Sequence, residues 1–340
     1  MILLTGATGF LGRCVVRRLL RKGERVRCLV LPNDRAGLPS SPLVEIVRGD
    51  VTDPGTLAED GKGIDAIIHS AALMLPNDPA RITHVNVDGT ANVVRFAQRH
   101  GIRRFIYVSA VSAIYRHKNV YGLSKVAAER LVAASGLEYT ILRPTMMYGS
   151  NGGLHFQKLV SLIRSIPGVV PILGPGTALL QPVWVEDAAE AVELALAHPQ
   201  AIRKSYDVSG ATALTFNEFV DCLTRAIGVK RVKVHVPLLL CQVAAHTLTR
   251  LAGPSFLSPA ALLGINEDAS SDHTALAADC GYQPVTLDDG LAMVFGCEGV
   301  PPLPLDRDAA LKPPQQPAQG PGADRRAIES TARLRHRRSG

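Results

Sequence analysis

Cysteine is sparse and carries no pattern. Six residues (Cys14, Cys28, Cys222, Cys241, Cys280, Cys297) are scattered over 340 positions with no C-x-x-C pair, which argues against a disulfide framework and a zinc site. Cys14 and Cys28 stand in apolar surroundings and read as core thiols. A membrane-spanning run is missing as well. The most apolar later stretch, Pro237 to Leu251, is interrupted by Gln242, His246 and Arg250; it is too short and too polar to cross a bilayer and reads as an amphipathic helix packed on the body. There is no His/Cys/Asp/Glu cluster with metal-ligand spacing, so no metal is expected, and there are no internal repeats. The first apolar run starts at Ile2, leaving no room for a cleaved leader, and the expected location is cytoplasmic. No basic stripe interleaved with aromatics suggests nucleic-acid binding. The net charge is +7, but residues 301–340 hold eight Arg/Lys against four Asp/Glu, so +4 belongs to the end of the chain and +3 to the rest.

What is present suits one large α/β unit with a smaller lobe. Hydrophobic residues make up 46% and charged residues 20%, and the length allows a substantial core. The organising stretch is the N-terminal MILLTGATGFLG. Ile2 to Leu4 reads as a buried strand. Gly6, Gly9 and Gly12 follow at once, and then Cys14, Val15, Val16, Leu19 and Leu20 form an apolar stripe at helical spacing. In this strand–turn–helix setting Gly6 makes the tight turn, Gly9 lets the backbone approach a pyrophosphate, and Gly12 lets the helix pack against the strand. The free N–H groups of the helix end face the phosphates.

Further strands are expected at Arg25 to Leu31, Val44 to Val47, Asp65 to His69, Arg104 to Ser109 and Tyr139 to Leu142. One long helical stretch runs through Ile82 to Phe96, and another covers Tyr121 to Ser135. This alternation predicts a Rossmann-type, doubly wound parallel sheet with helices on both faces. Ligands of such sheets sit at the carboxyl ends of the strands, which selects the glycine turn, Asp50-Val51, Ala71-Ala72, Ser109-Ala110 and Pro144-Thr145. The expected organisation is a dinucleotide-binding domain over 1–150, with parts of 180–210 returning to it, and a small, mainly substrate-binding C-terminal lobe over 151–300. Residues 301–340, with seven prolines before position 322 and RLRHRR at 333–338, read as a disordered basic tail.

Tyr121 and Lys125 are the second informative pair. Four residues apart on a helix, they share a face. A nearby ammonium favours phenolate and is expected to lower the phenol's pKa, so that Tyr121 exchanges a proton with a substrate alcohol or carbonyl while hydride moves to or from a nicotinamide.

With TGATGFLG (5–12), GDVTD (49–53), HSAA (69–72), NVDGTANV (86–93), YGLSK (121–125), LRPTMMYG (142–149), QPVWVEDAA (181–189) and DCGYQP (279–284), the chain resembles the extended and atypical short-chain dehydrogenase/reductases. These are the NAD-dependent epimerase/dehydratase branch, including atypical members related to a nucleotide-binding accessory subunit of respiratory complex I. The resemblance runs from Met1 to about Gly299. It implies a cofactor site of Gly6, Thr8, Gly9, Phe10, Leu11, Gly12, Arg35, Asp50, Val51, Ala71, Ala72, Ser109, Lys125, Pro144 and Thr145. Within it Asp50 and Val51 lie near the adenine, Ala71 and Ala72 near the ribose and pyrophosphate, and Pro144 and Thr145 near the nicotinamide. Tyr121 and Lys125 are its acid/base pair.

Two departures stand out. Where the branch commonly has a Ser or Thr after the fifth strand, this chain has Ala110. Strand alternation points Ser109 to the other side, leaving Ser112 as the candidate third catalytic residue. The second strand closes on Val30 and Leu31 instead of an acid or an Arg, and Asp34 and Arg35 follow with opposite implications, so NAD and NADP both stay open. Elsewhere His69 reads as a hydrogen-bonded core histidine, Asp187 as a residue satisfying the N–H groups of its own helix, Arg143 as structural, and Met146 and Met147 as packing. The resulting reading is an NAD(P)-dependent oxidoreductase acting on an alcohol or carbonyl. A nucleotide-sugar epimerase or dehydratase, and a cofactor-binding assembly protein with little turnover, stand as alternatives. The expected partner is a small-molecule substrate, with room for a homodimer and without nucleic acid or a membrane span.

Overall fold

The computed structural model describes residues 1–35, 37–56, 61–74, 78–150, 152–240 and 268–296. The tail at 301–340 and most of the amphipathic stretch at 237–251 lie outside these residues.

In chain order the first half runs β1 (Ile2–Thr5), α1 (Phe10–Arg21), β2 (Val26–Val30), β3 (Val44–Arg48), β4 (Ala66–His69), α2 (Pro79–Thr83), a π-turn (His84–Asp88), α3 (Gly89–Arg99), β5 (Arg104–Val108), a 3₁₀ turn (Val111–Ala113), α4 (Val120–Ala133) and β6 (Glu138–Pro144). The second half adds β7 (Met147–Tyr148), α5 (Leu154–Ser165), β8 (Val169–Leu173), β9 (Leu179–Leu180), β10 (Val183–Trp184), α6 (Val185–Ala197), β11 (Lys204–Val208), β12 (Leu214–Thr215), α7 (Phe216–Ile227), β13 (Val232–Val236), α8 (Thr274–Cys280) and α9 (Leu287–Phe295).

Seven strands form one sheet in the order β11-β6-β5-β4-β1-β2-β3, and every neighbouring pair is parallel. The chain lays strands outward from β1 to β3 and then returns to β4 on the other side of β1. The order therefore reverses beside β1, where a crevice opens at the strands' carboxyl ends. Successive strand residues face opposite layers. Ile2 and Leu4 enter the core covered by α1, α6 and α8, with Val15, Leu19, Val192 and Leu276. Leu3 enters the core covered by α3 and α4, with Val93, Phe96, Phe105 and Val132. A third core holds the lobe together around Tyr148, Phe156, Ile163, Ile172, Phe219 and Leu291.

The long helical stretch expected through Ile82 to Phe96 is present: α2, the π-turn and α3 run on without a break, and the middle widens into the π-turn, in which Asn86 is buried. Asn86 exchanges hydrogen bonds with the backbone of Leu73, accepting from its N–H at 2.7 Å and donating to its carbonyl at 3.0 Å. A wide turn that aims a polar side chain inward is a recurring use of π-geometry. Asp187 does not cap its own helix; its Oδ2 accepts from the N–H of Val285 at 3.0 Å and so ties α6 to the segment leading into α9.

Candidate functional site

The glycine turn is built by close approach. Gly6 has φ +73°, and a Cβ there would lie 2.7 Å from the backbone nitrogen of Ala71. A Cβ on Gly12 would lie 2.0 Å from the carbonyl oxygen of Gly6. These two glycines therefore fix how tightly α1 sits on β1 and on the loop after β4. Gly9 is different: it is exposed, and a Cβ there would meet only the Gly6 oxygen, at 3.2 Å, so its outer face is open. It is also the N-cap of α1, which has no side-chain cap and no acid in its first turn. The first N–H groups of the helix, at Phe10, Leu11 and Gly12, are left to a ligand, and an anionic pyrophosphate suits both those donors and the helix dipole.

Around this turn the other expected residues take these places. Ala71 and Ala72 follow β4, next to β1, and present only methyl groups. Asp50 follows β3, and its Oδ1 accepts from the N–H and hydroxyl of Thr52 at 2.9 and 2.8 Å. Val51 is buried, its carbonyl held by Asn92 Nδ2 at 2.9 Å. The backbone oxygen of Thr8 accepts from Arg13 Nε at 2.8 Å. Arg35 is exposed on the loop after β2, and Leu31 at the strand's end is 53% exposed. Pro144 ends β6, and the hydroxyl of Thr145 is turned inward to the carbonyl of Gln181 at 2.5 Å. The side chain of Ser109 does not face the crevice: its hydroxyl donates to Glu129 Oε1 at 2.5 Å. That carboxylate is also clamped by Arg143, at 2.9 Å from Nε and 2.7 Å from Nη2.

Tyr121 and Lys125 lie beyond β5. Asn119 caps α4 by accepting from the N–H of Gly122 at 2.9 Å. A Cβ on Gly122 would lie 2.7 Å from the carbonyl oxygen of Ser112, so the glycine lets the first turn of α4 rest on the 3₁₀ turn. This brings Tyr121 and Ser112 onto touching elements. The Ser112 hydroxyl oxygen is buried with no hydrogen-bond partner among the described residues.

Lys125 is buried. Its ammonium lies 5.9 Å from the Tyr121 ring centroid and donates to the Val108 carbonyl at 2.8 Å and the Tyr107 hydroxyl at 3.2 Å. Burial draws it down to about 7, with Glu129 opposing that shift. The expectation that the cation lowers the phenol is overturned. Burial pushes Tyr121 up to about 12, because desolvation of a phenolate outweighs an ammonium that is itself desolvated and engaged elsewhere.

Sequence reasoning missed the floor beneath this pair. His69 Nδ1 lies 2.6 Å from Thr5 Oγ1, and its Nε2 lies 2.9 Å from Thr90 Oγ1. The His69 ring stacks on Tyr107, and burial holds it down to about 3. The histidine is the hydrogen-bonded core residue expected, but Tyr107 and Thr90 were not singled out. The signal for Tyr107 was a hydroxyl inside the apolar run Phe105 to Val108.

An open glycine turn and a tyrosine–lysine pair along one edge of a parallel sheet fit a nicotinamide-dinucleotide oxidoreductase. The sequence profile of the NAD dependent epimerase/dehydratase family matches residues 2–209, and the chain belongs to that family. It is 30% identical over 270 residues to a 3 beta-hydroxysteroid dehydrogenase/Delta 5-->4-isomerase of Mycobacterium tuberculosis, covering 69% of this chain and 71% of the relative. It is 27% identical to the photosystem II assembly factor Ycf39 of Guillardia theta, covering 83% and 89%. Its fold is shared with the dTDP-glucose 4,6-dehydratase DesIV of Streptomyces venezuelae, solved with NAD and TYD bound, at a TM-score of 0.69 and 24% identity over 87% and 95% of the two chains. Among the described residues no helix is long and apolar enough to cross a membrane, and no group of three His/Cys/Asp/Glu could hold a metal ion.

Proposed function

We propose that the protein interconverts an alcohol and a carbonyl on an apolar small molecule, with Tyr121 as general acid/base, Lys125 as its charge partner and Ser112 as the hydrogen-bond partner of the reacting oxygen. The observation that carries this reading is the Ser112 hydroxyl, buried without a partner on the turn that Tyr121's helix rests upon. A buried hydroxyl left unpaired costs about 1–3 kcal/mol, a cost relieved when a substrate oxygen enters. The dinucleotide, when bound, supplies or accepts the hydride. In the reducing direction the Tyr121 hydroxyl, which is protonated at neutral pH as any phenol is, gives its proton to the substrate oxygen. The phenolate left behind draws Lys125 toward its charged form, so the two titrate as a coupled pair.

The apolar substrate class is supported by the steroid named for the mycobacterial relative and by Met74 and Ile114, 42% and 45% exposed after β4 and the 3₁₀ turn. The likeness to a nucleotide-sugar dehydratase speaks for the fold alone. Dinucleotide consumption over a panel of hydroxysteroids, long-chain 3-oxo compounds and nucleotide sugars tests the reading. Turnover confined to the first two classes, and lowered by Ser112→Ala chiefly through kcat, is the expected result; product isomers formed only from nucleotide sugars would overturn it.

A second reading, a dinucleotide-binding assembly factor with little turnover, draws on Ala110 and on the near full-length likeness to Ycf39. It predicts dinucleotide binding, no consumption with any of the panel, and recovery in a large complex. A cytoplasmic location goes with either reading. So does pairing of two copies, for which Leu123 and Leu131, exposed on α4, offer an apolar face.

A further inference from the structure

We infer that Tyr107, stacked on His69, is the positioning residue of Lys125. The phenol hydroxyl fixes where the ammonium points and keeps it chargeable at a depth where burial alone would discharge it. The inference rests on the proposed acid/base role of Lys125 and extends it to residues that touch neither substrate nor cofactor.

The network admits one internally consistent set of donors. The Thr90 hydroxyl donates to the carbonyl of Asn86 at 2.6 Å, so its lone pairs are left to accept. His69 Nε2, at 2.9 Å, is then the donor, which makes the neutral ring an Nε2–H tautomer with Nδ1 as acceptor. Nδ1 takes the proton of the Thr5 hydroxyl at 2.6 Å, and Thr5 Oγ1 accepts from the N–H of Ala71 at 3.2 Å. The Tyr107 ring stacks on His69, and its hydroxyl oxygen accepts from Lys125 at 3.2 Å. Lys125 thus meets two acceptors, the Tyr107 hydroxyl and the Val108 carbonyl, and its third proton is left for the crevice.

Every member of this chain is buried: Thr5, His69 and Thr90 at 0% exposure, Tyr107 and Lys125 at 1%. Water does not replace a lost partner there, and an unmade bond falls on the ammonium. The charged and titratable groups facing Lys125 are few. His69 on β4 stays neutral, and Tyr107 on β5 is held well above the ordinary phenol range by burial. On α4 are Tyr121 and Glu129, and Glu129 is itself paired to Arg143 on β6. The π-turn and α3 contribute the neutral Asn86 and Thr90. Only Glu129 favours the charge electrostatically, so the two neutral acceptors, the Val108 carbonyl at 2.8 Å and the Tyr107 hydroxyl at 3.2 Å, favour it by hydrogen bonding, and of these only the hydroxyl belongs to a side chain.

The test follows the titration of Lys125 in full-length protein carrying ¹³Cε-lysine, with the resonance assigned by Lys125→Met. Tyr107→Phe keeps the ring on His69 and removes only the hydroxyl. The expected result is a Lys125 midpoint lowered by about one pH unit in Tyr107→Phe, with the alkaline limb of kcat/KM for carbonyl reduction moving the same way. An unchanged midpoint in folded Tyr107→Phe overturns the inference. A lowered midpoint in a protein that turns over nothing on the substrate panel keeps it, while the proposed function fails.

Discussion

Tyr121 and Lys125 are each moved by burial toward their neutral forms, the phenol up to about 12 and the ammonium down to about 7. At neutral pH the tyrosine therefore holds the proton it would give to the substrate oxygen. Replacing it with Phe is expected to lower turnover by about 10²–10⁴-fold, leaving dinucleotide affinity unchanged in a fluorescence titration; full activity would remove it from the mechanism. His69 gives a prediction at the same scale. Its folded value, about 3, lies below the unfolded value of ~6.5, so between these the unfolded chain holds a proton that the folded chain lacks. The contribution is intact above pH ~6.5 and is lost as pH falls through the window, at up to about 1.4 kcal/mol per pH unit. Urea midpoints measured from pH 7 to pH 4 should fall steeply in the native protein and less steeply in His69→Gln.

At the scale of elements, small residues and caps set how pieces meet. Gly122 lets α4 rest on the 3₁₀ turn, and the Cβ of Gly122→Ala would press on the Ser112 carbonyl from 2.7 Å. Since α4 carries both Tyr121 and Lys125, kcat is expected to fall more than tenfold, and the thermal midpoint falls with it because a backbone carbonyl must give way. In the lobe, Thr215 and Glu218 form a reciprocal capping box at the start of α7. Thr215→Ala should cost about 1 kcal/mol and, because α7 is remote from the sheet, raise KM with kcat near its native value; an equal loss in kcat would place α7 in the chemistry. Strand and helix positions were legible in the sequence because apolar spacing is local. The π-turn was not, because its cause is Asn86 reaching back to the Leu73 backbone, a contact that spacing does not reveal.

At the scale of the molecule, the lobe is tied to the sheet by Asp187, whose carboxylate is held on the Val285 N–H and pushed up to about 6 by burial. Here the folded value exceeds the unfolded ~3.9, so the native state gains a proton first. Stability contributed by this group falls as pH rises through that window, opposing the His69 slope. A dinucleotide bound across the crevice should stabilise the whole unit: at 100 times its dissociation constant the gain is about 2.7 kcal/mol. Thermal midpoints with NAD⁺ and NADP⁺ at matched concentrations would show which one the loop after β2 accepts, and no rise with either would count against the open turn as a phosphate site.

By itself the amino-acid sequence determined the order of strands and helices, the glycine turn and the phenol–ammonium pair, because each rests on residues within a few positions of one another. Only the tertiary structure decided the sign of the Tyr121 shift, the turning of Ser109 toward Glu129, the unpaired Ser112 hydroxyl and the buried chain from Thr5 to Lys125. Those depend on desolvation and on hydrogen bonds between distant segments, which exist only once β1, β4, β5 and α4 are packed side by side.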